Sequence, residues 1–152
     1  MVKLTFSKLK PKEKELLKAA EKALKHAYNP YSHSFVGAAV LTQSGEIISA
    51  GSMANMSTSV NLCAERCAVA AANAKGHRHI IKLALIAKAE DHDYEEPVTP
   101  CGICRQFLYE IDMITEGELD IICSNTKKTI IYKFTLSELL PYPYSRYKKP
   151  LK

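Results

Sequence analysis

The 152-residue sequence has no tryptophan, few glycines and no apolar run long enough to cross a membrane. A membrane-spanning helix needs about 20 consecutive apolar residues, and a secretory signal begins with an apolar stretch that the first residues here lack. We therefore expect a cytoplasmic protein that makes no contact with membranes. Repeats, low-complexity tracts and linkers are absent too, so residues 1–152 are predicted to form a single domain with a basic tail at about 145–152.

Cysteine is also scarce, and the number of cysteines is odd. The five residues fall in the central and later parts of the chain, at Cys63, Cys67, Cys101, Cys104 and Cys123. An odd, clustered set is a poor framework for disulfides, which do not persist in a reducing cytosol. The cysteines therefore indicate metal binding or catalysis.

Acidic residues are outnumbered, and the excess positive charge lies towards the two ends of the chain. The formal net charge is +5, and residues 1–25 contain eight lysines against three glutamates. This balance permits a nucleic-acid partner, but no arginine-rich patch or interleaved aromatic residues accompany the lysines. We therefore predict a solvent-exposed helix face and a small-molecule substrate rather than nucleic acid.

Hydrophobic periodicity predicts four helices and five strands in the order α-β-β-α-β-α-β-β-α. A helical apolar stripe ends at Asn29-Pro30, and Ser44-Gly45 marks the turn of a first hairpin. This order indicates an α/β fold, a three-layer α/β/α sandwich with a mixed five-stranded sheet. The predicted helices are 12–28, 62–75, 102–111 and 137–140, and the predicted strands are 35–42, 46–50, 80–89, 119–124 and 129–134.

Three of the cysteines lie where predicted helices begin. Cys63 directly precedes Ala64 and Glu65 at one helix start, and Cys101 and Cys104 flank another. Unpaired N–H groups and the positive end of the helix dipole lower thiol pKa values there, which favours thiolates, and thiolates bind Zn²⁺. Three sulfurs leave one of four tetrahedral positions open, as in a catalytic site. The sequence therefore predicts Zn²⁺ as cofactor, with Cys63, Cys101 and Cys104 as ligands.

Charged residues beside these cysteines suit such a site. Three thiolates would leave the zinc complex with a net negative charge. Two arginines could offset this charge, because Arg66 follows Glu65 and Arg105 follows Cys104 in the sequence. Glu65 could move protons if the first helical turn directs its carboxylate towards the metal. In mid-helix, a spacing of two residues from Cys63 would point it away.

Two segments carry a resemblance to a known family, Cys63-Ala64-Glu65-Arg66 and Pro100-Cys101-Gly102-Ile103-Cys104-Arg105-Gln106. They resemble the cytidine deaminase family, and the resemblance covers most of the chain. The resemblance implies a zinc-dependent hydrolase that converts cytidine or deoxycytidine to uridine or deoxyuridine and ammonia. In that mechanism, zinc-bound hydroxide attacks C4 of the cytosine ring, and Glu65 is the proton shuttle.

The same resemblance implies substrate contacts and an assembly. Ala64, Asn55, Ser52 and Phe35 are predicted to bind substrate, with Asn55 opening the loop that resembles the one before the family's zinc helix. Tyr144 falls where the family carries an aromatic residue that reaches a neighbouring subunit's site. Family members with three cysteine ligands are usually homotetramers, so a homotetramer is the expected assembly.

Departures from the family pattern concern the substrate. Ser52 and Ala54 stand where family members carry an asparagine and a glutamate that bind the ribose, and Ser34-Phe35 replaces an aromatic-proline pair. Losing a charged acceptor costs about 1.5–3 kcal/mol of binding free energy. The substrate is thus open between cytidine in a rearranged pocket, a modified cytosine nucleoside and free cytosine. Blasticidin S deaminase, a relative with a similar zinc helix, is the main alternative.

Other classes of function also remain open from the residues alone. Cys101 and Cys104 could form a redox pair. Cys67, four residues after Cys63, could instead complete a structural four-cysteine zinc site in a non-catalytic binding protein. The lysine-rich first helix could serve a nucleic-acid deaminase. A closed zinc site would leave Glu65 and both arginines unexplained.

Overall fold

The computed structural model describes residues 1–117 and 119–146, and it contains a mixed sheet of six strands covered by helices. The elements are β1 (Val2–Leu4), α1 (Pro11–Ala23), β2 (Ser34–Thr42), β3 (Ile47–Gly51), α2 (Ala64–Ala74), β4 (Ile80–Ala89), α3 (Gly102–Ile114), β5 (Asp120–Ser124), β6 (Ile131–Thr135) and α4 (Leu136–Leu139). The strands lie in the order β1-β6-β5-β4-β2-β3. Neighbours are antiparallel except β4 and β5, which are parallel. In the described ranges, no helix combines the length and apolarity needed to span a membrane.

The predicted fold class is confirmed, but the prediction of five strands was one strand short. The additional strand, β1, pairs antiparallel with β6, with Val2 opposite Lys133 and Leu4 opposite Ile131. Its three residues are too few to show a period of two in the sequence. The strand is fixed by pairing with a distant segment, and the Met1 amino group also forms an ion pair with Glu138.

Helices cover both faces of the sheet, which gives the three predicted layers. α1 packs on one face, where Leu16 and Ala20 join a cluster that includes Ala39 of β2. α2 and α3 pack on the other face, in a cluster that includes Ala38 and Val40 of the same strand. Because successive side chains of a strand point to opposite faces, β2 contributes to both cores.

The first helix ends earlier than predicted, at Ala23, and a 3₁₀ turn at Leu24–His26 follows it. This end of α1 lies very close to β2. A Cβ atom at Gly37 would be 2.1 Å from the carbonyl oxygen of Ala20, so only glycine fits beneath the helix at that position. The close approach fixes the position of α1 on the sheet.

α1 also buries a charged residue against the sheet. Glu13 is 3% exposed, and its Oε1 lies 2.9 Å from Nζ of Lys133 and 3.4 Å from Nζ of Lys82. Its Oε2 accepts a 3.0 Å hydrogen bond from the Lys10 backbone N–H. Burial alone would raise the pKa of Glu13, but the bonds from Lys133 and Lys10 and the two lysine charges outweigh it and lower that pKa. The carboxylate is therefore charged and fully paired.

Candidate active site

Three cysteine sulfurs meet where α2 and α3 begin. Cys63 is the N-cap residue of α2 and Cys101 that of α3, while Cys104 lies in the first turn of α3. The Sγ atoms of Cys63 and Cys101 are 3.9 Å apart, and all three sulfurs lie within 4.8 Å of one another. Sulfurs bound to one tetrahedral zinc with Zn–S bonds of about 2.3 Å are ~3.8 Å apart. The donor type and spacing of this cluster therefore fit a zinc ion.

The thiol protons are unequally distributed within the cluster. A hydrogen bond from Cys104, helped by bonds from Cys101 and Arg66, lowers the pKa of Cys63 to about 5. The same bond, together with burial and the nearby Glu65 carboxylate, raises the pKa of Cys104. The lowered pKa favours a thiolate at Cys63, which lies at the positive end of α2.

Glu65 lies beside this cluster with its carboxylate buried. The residue is 3% exposed, and it lines the same cavity as Cys63 and Cys101. Cys63 has extended backbone angles, φ −65° and ψ 148°, so it precedes the helix rather than forming part of it. The helical spacing rule that would separate Cys63 from Glu65 therefore does not apply. Burial raises the pKa of Glu65, and the Cys63 thiolate adds to the effect.

The two arginines behave differently. Arg66 donates to the Asn61 carbonyl, and its guanidinium helps to lower the pKa of Cys63. Arg105 instead donates to the Pro100 carbonyl at 2.7 Å, the Leu139 carbonyl at 3.1 Å and the Thr99 hydroxyl at 3.1 Å. Arg66 thus brings positive charge to a sulfur, whereas Arg105 braces the segment that leads into α3.

The cavity beside the cluster has a volume of about 290 Å³. Among the described residues that line it, none is a lysine, arginine or histidine, so its polar groups other than Glu65 and the thiols are neutral. The lining residues are Asn29, Ser32, Ser34, Val36, Ser52, Met53, Ala54, Asn61, Leu62, Cys63, Glu65, Leu85, Ala87, Tyr94, Val98, Thr99 and Cys101. The arrangement joins a metal-binding group, a buried carboxylate and a neutral polar pocket.

The predicted substrate-binding residues are only partly brought together. Ser52 lines the cavity, and Ala64 is fully buried between Cys63 and Glu65. Phe35 is absent from the lining, because its neighbours Ser34 and Val36 point to the cavity side of β2 and strand alternation directs Phe35 to the other side. Asn55 and Tyr144 are exposed and likewise outside the lining, although the Asn55 N–H is held by Asn61. Their substrate contacts stay predictions.

Cys67 and Cys123 lie outside the sulfur cluster. The Cys67 thiol faces the Leu62 carbonyl at 3.9 Å, and burial raises its pKa. Cys123 is fully buried in β5, and burial raises its pKa as well. The described part of the chain thus gathers three cysteines, not four, within ligand distance of one another.

The sequence predicts no substrate contact for the neutral polar side of the cavity, which Asn29, Ser32, Ser34 and Tyr94 form. The sequence pattern marks Asn29 only as a helix end. Its side-chain amide donates to the Ser32 hydroxyl at 2.6 Å and to the Ser34 carbonyl at 2.8 Å. Tyr94 sits in an acidic connection with no periodic pattern, so no local signal marked it.

Comparison with known proteins agrees with this geometry. A family model described as the cytidine and deoxycytidylate deaminase zinc-binding region matches residues 10–116. The chain belongs to this deaminase family. The protein is accordingly a hydrolytic deaminase with zinc as its cofactor, and the sulfur cluster can hold that metal.

Individual relatives match most of this chain and most of their own length. A cytidine deaminase of Halalkalibacterium halodurans is 36% identical over 126 residues, which are 83% of this chain and 89% of that protein. A blasticidin-S deaminase of Bacillus cereus is 29% identical over 135 residues, 87% of this chain and 91% of that protein. The crystal structure of a cytidine deaminase from Burkholderia pseudomallei superimposes with a TM-score of 0.76 at 30% identity, covering 86% of this chain and 97% of that chain.

Proposed function

We propose that the protein catalyses the zinc-dependent hydrolytic deamination of a cytosine-ring nucleoside, cytidine or deoxycytidine, to the uracil nucleoside and ammonia. The observation that carries the proposal is that a buried carboxylate, Glu65, lines the same cavity as two sulfurs of the cluster, those of Cys63 and Cys101. Similarity to the cytidine deaminases of Halalkalibacterium halodurans and Burkholderia pseudomallei supports the choice of substrate class.

Each residue of the site has a separate task in this mechanism. Cys63, Cys101 and Cys104 would hold the metal, and Zn²⁺ bound there supplies a Lewis acid that lowers the pKa of water to about 7. The Glu65 carboxylate takes one proton from the attacking water and delivers it to ring N3. It then takes the remaining proton from the oxygen added at C4 and delivers it to the amine. As the C4–O bond forms and the C4–N bond breaks, ammonia leaves with the transferred proton.

The environment of Glu65 suits a group that both accepts and returns a proton. A general acid–base works best when its pKa lies near the working pH, and burial moves the pKa of this carboxyl upwards. Arg66 serves the metal side, because its positive charge near Cys63 offsets the negative charge of the sulfur ligands. Arg105 acts at one remove, by holding the Thr99–Pro100 segment that precedes Cys101.

A modified cytosine nucleoside is the second candidate substrate, with blasticidin S as the specific example. Ala54 lines the cavity without a hydrogen-bonding side chain, and the Ser52 hydroxyl already accepts a 3.2 Å bond from the Val36 N–H. A sugar would therefore be held differently from the pattern that the family resemblance implies. The similarity to the blasticidin-S deaminase of Bacillus cereus supports this alternative.

The assembly we propose is a homotetramer of the single domain predicted for residues 1–152. Large apolar side chains are exposed around the cavity and on the outer side of α3, which favours burial against other subunits. Tyr144 is positioned by reciprocal 2.9 Å bonds between its backbone and the Gln106 side chain, and its ring is exposed for a neighbour. The exposed apolar side chains that would be buried between subunits are those of Met53, Met56, Val60, Leu62, Ile103, Phe107, Tyr142 and Tyr144.

The compartment we propose is the cytosol. The five cysteines are unpaired thiols, as in proteins that work under reducing conditions. The predicted basic tail, about residues 145–152, lies mostly outside the described residues, the last of which is Arg146.

The proposal is tested by metal content and ammonia release in the same preparations. We expect about one zinc per chain and ammonia release from cytidine or deoxycytidine. Glu65→Ala should retain zinc and lose deamination, whereas Cys101→Ser should lose both. Cys67→Ser is the matched control, because this thiol lies outside the cluster, and it should keep zinc and activity. Loss of zinc in Cys67→Ser, with no ammonia from any nucleoside in the unmodified protein, would favour a zinc-stabilised binding protein instead.

A further inference from the structure

The connection between β4 and α3 brings a tyrosine to the cavity. Tyr94 and Ser34 both line the cavity together with Glu65, and their hydroxyl oxygens are 2.9 Å apart. Both side chains are half-buried. They come from segments 60 residues apart, so the pair forms only in the folded protein.

Tyr94 is held in place by contacts on both sides of it along the chain. Before it, the Glu90 N–H donates to the His33 carbonyl at 2.9 Å, and Nδ1 of His33 lies 2.8 Å from Oε2 of Glu90. After it, the Glu95 carbonyl accepts a 3.0 Å bond from the Asn125 side chain. The Tyr94 ring also packs edge-on against His92. The hydroxyl is thus a fixed part of the cavity wall.

The chemistry of the hydroxyl pair selects a neutral ligand. One of the two protons serves the bond between Ser34 and Tyr94, which leaves the second proton and lone pairs on both oxygens for a ligand. The described lining has no lysine, arginine or histidine to match a phosphate. A hydroxyl group, which both donates and accepts, matches such a pair.

We propose that Tyr94 and Ser34 form a subsite that binds a hydroxyl group on the sugar of the substrate, and that Tyr94 thereby determines specificity among cytosine nucleosides. The inference rests on the proposed function and specifies how that site holds a sugar. The Ala54 side chain, next to Ser52 in the cavity, cannot form a hydrogen bond with the sugar. In this proposal, Ser34 of β2 and Tyr94 of the β4–α3 connection supply such a bond instead.

The test is a comparison of cytidine with its 2′-deoxy, 3′-deoxy and 5′-deoxy analogues in the unmodified protein and in Tyr94→Phe. The substitution removes one hydroxyl and keeps the ring. In the unmodified protein, we expect one analogue to have about tenfold lower kcat/KM than cytidine, the value of one neutral hydrogen bond. In Tyr94→Phe, kcat/KM for cytidine should fall by a similar factor, and the ratio of kcat/KM for cytidine to kcat/KM for that analogue should approach one. Ser34→Ala should shift the same ratio.

Tyr132→Phe is the matched control. Its hydroxyl bonds Glu96 in the same connection but does not line the cavity, so its loss should leave all substrate ratios unchanged. If Tyr94→Phe lowers kcat/KM equally for all four nucleosides, or changes none of them, the subsite is refuted. If the unmodified protein releases no ammonia from any of them, the proposed function fails, and calorimetric binding of the same four nucleosides to both proteins then decides the subsite by the same ratios.

Discussion

Two glutamates with equal exposure, Glu13 on α1 and Glu65 on α2, lie on opposite faces of the sheet, and their pKa values shift in opposite directions. Each is 3% exposed. Two lysines and a backbone N–H surround Glu13, and its pKa is lowered. Glu65 faces a cavity next to a thiolate, and its pKa is raised by burial. The fold surrounds one buried carboxyl with two lysines, whereas at the other, beside the cavity, burial outweighs the charge of Arg66.

The largest expected effect separates the two residues by activity. Glu65→Gln should lower kcat for deamination by about 10²–10⁴-fold, because an amide cannot take and return a proton. Glu13→Gln should keep kcat within about twofold at a temperature where the variant is folded, since Glu13 lies on the face away from the cavity. Ammonia release under saturating substrate measures both. A Glu65→Gln variant with ordinary kcat would end the comparison.

Stability should separate them in the opposite sense. Glu13→Gln should lower the free energy of unfolding by about 2 kcal/mol, because charge-assisted bonds to Lys133 and Lys82 are weakened. In the metal-free protein, Glu65→Gln should lower it by less than Glu13→Gln does or raise it, because burial outweighs the Arg66 charge at this carboxyl. Urea denaturation at neutral pH measures these values. Glu15→Gln, on the exposed side of the same helix, is the control and should change stability by less than about 0.5 kcal/mol.

The smallest expected effect is a dependence on pH that follows from Glu13. Its folded-state pKa lies below the ordinary value of 4.5, so the paired carboxylate contributes stability above pH 4.5 that is lost as the pH falls through the lowered pKa. The stability difference between the unmodified protein and Glu13→Gln should therefore be constant near neutrality and shrink in acid. Denaturation series at several pH values test this. A difference that grows on acidification would have the wrong sign.

The clustering of the three cysteines could be predicted because it depends on local sequence. Cys63 and Cys101 are N-cap residues, Cys104 and Glu65 lie in first turns, and a helix start is visible in the sequence. Predicting the cluster needs only one contact between distant segments, namely that the first turns of α2 and α3 lie side by side. The direction of the Glu65 carboxylate could not be derived, because it depends on the extended backbone of Cys63.

The substrate side of the cavity depends on contacts between distant segments, and there the sequence was less informative. Residues 35–42 form a nearly continuous apolar run that packs on both sides of the sheet, so the pattern does not reveal which face Phe35 takes. Tyr94 reaches Ser34 across 60 residues from an irregular connection. β1 was missed for a similar reason, since three residues become a strand only by pairing with β6.

The meeting of Cys63 and Cys101 has a consequence for folding as well as for chemistry. The two residues are 38 apart in sequence, so a metal bound to both closes a long loop of chain. By analogy with a disulfide, closing a loop of this length is worth up to about 4 kcal/mol of chain entropy in the unfolded state. A metal held by both residues would thus be a reversible cross-link between the starts of α2 and α3, which β4 separates in the sequence. Chelation would remove this clamp together with the Lewis acid, so the protein should become easier to unfold at the same moment that it loses its chemistry.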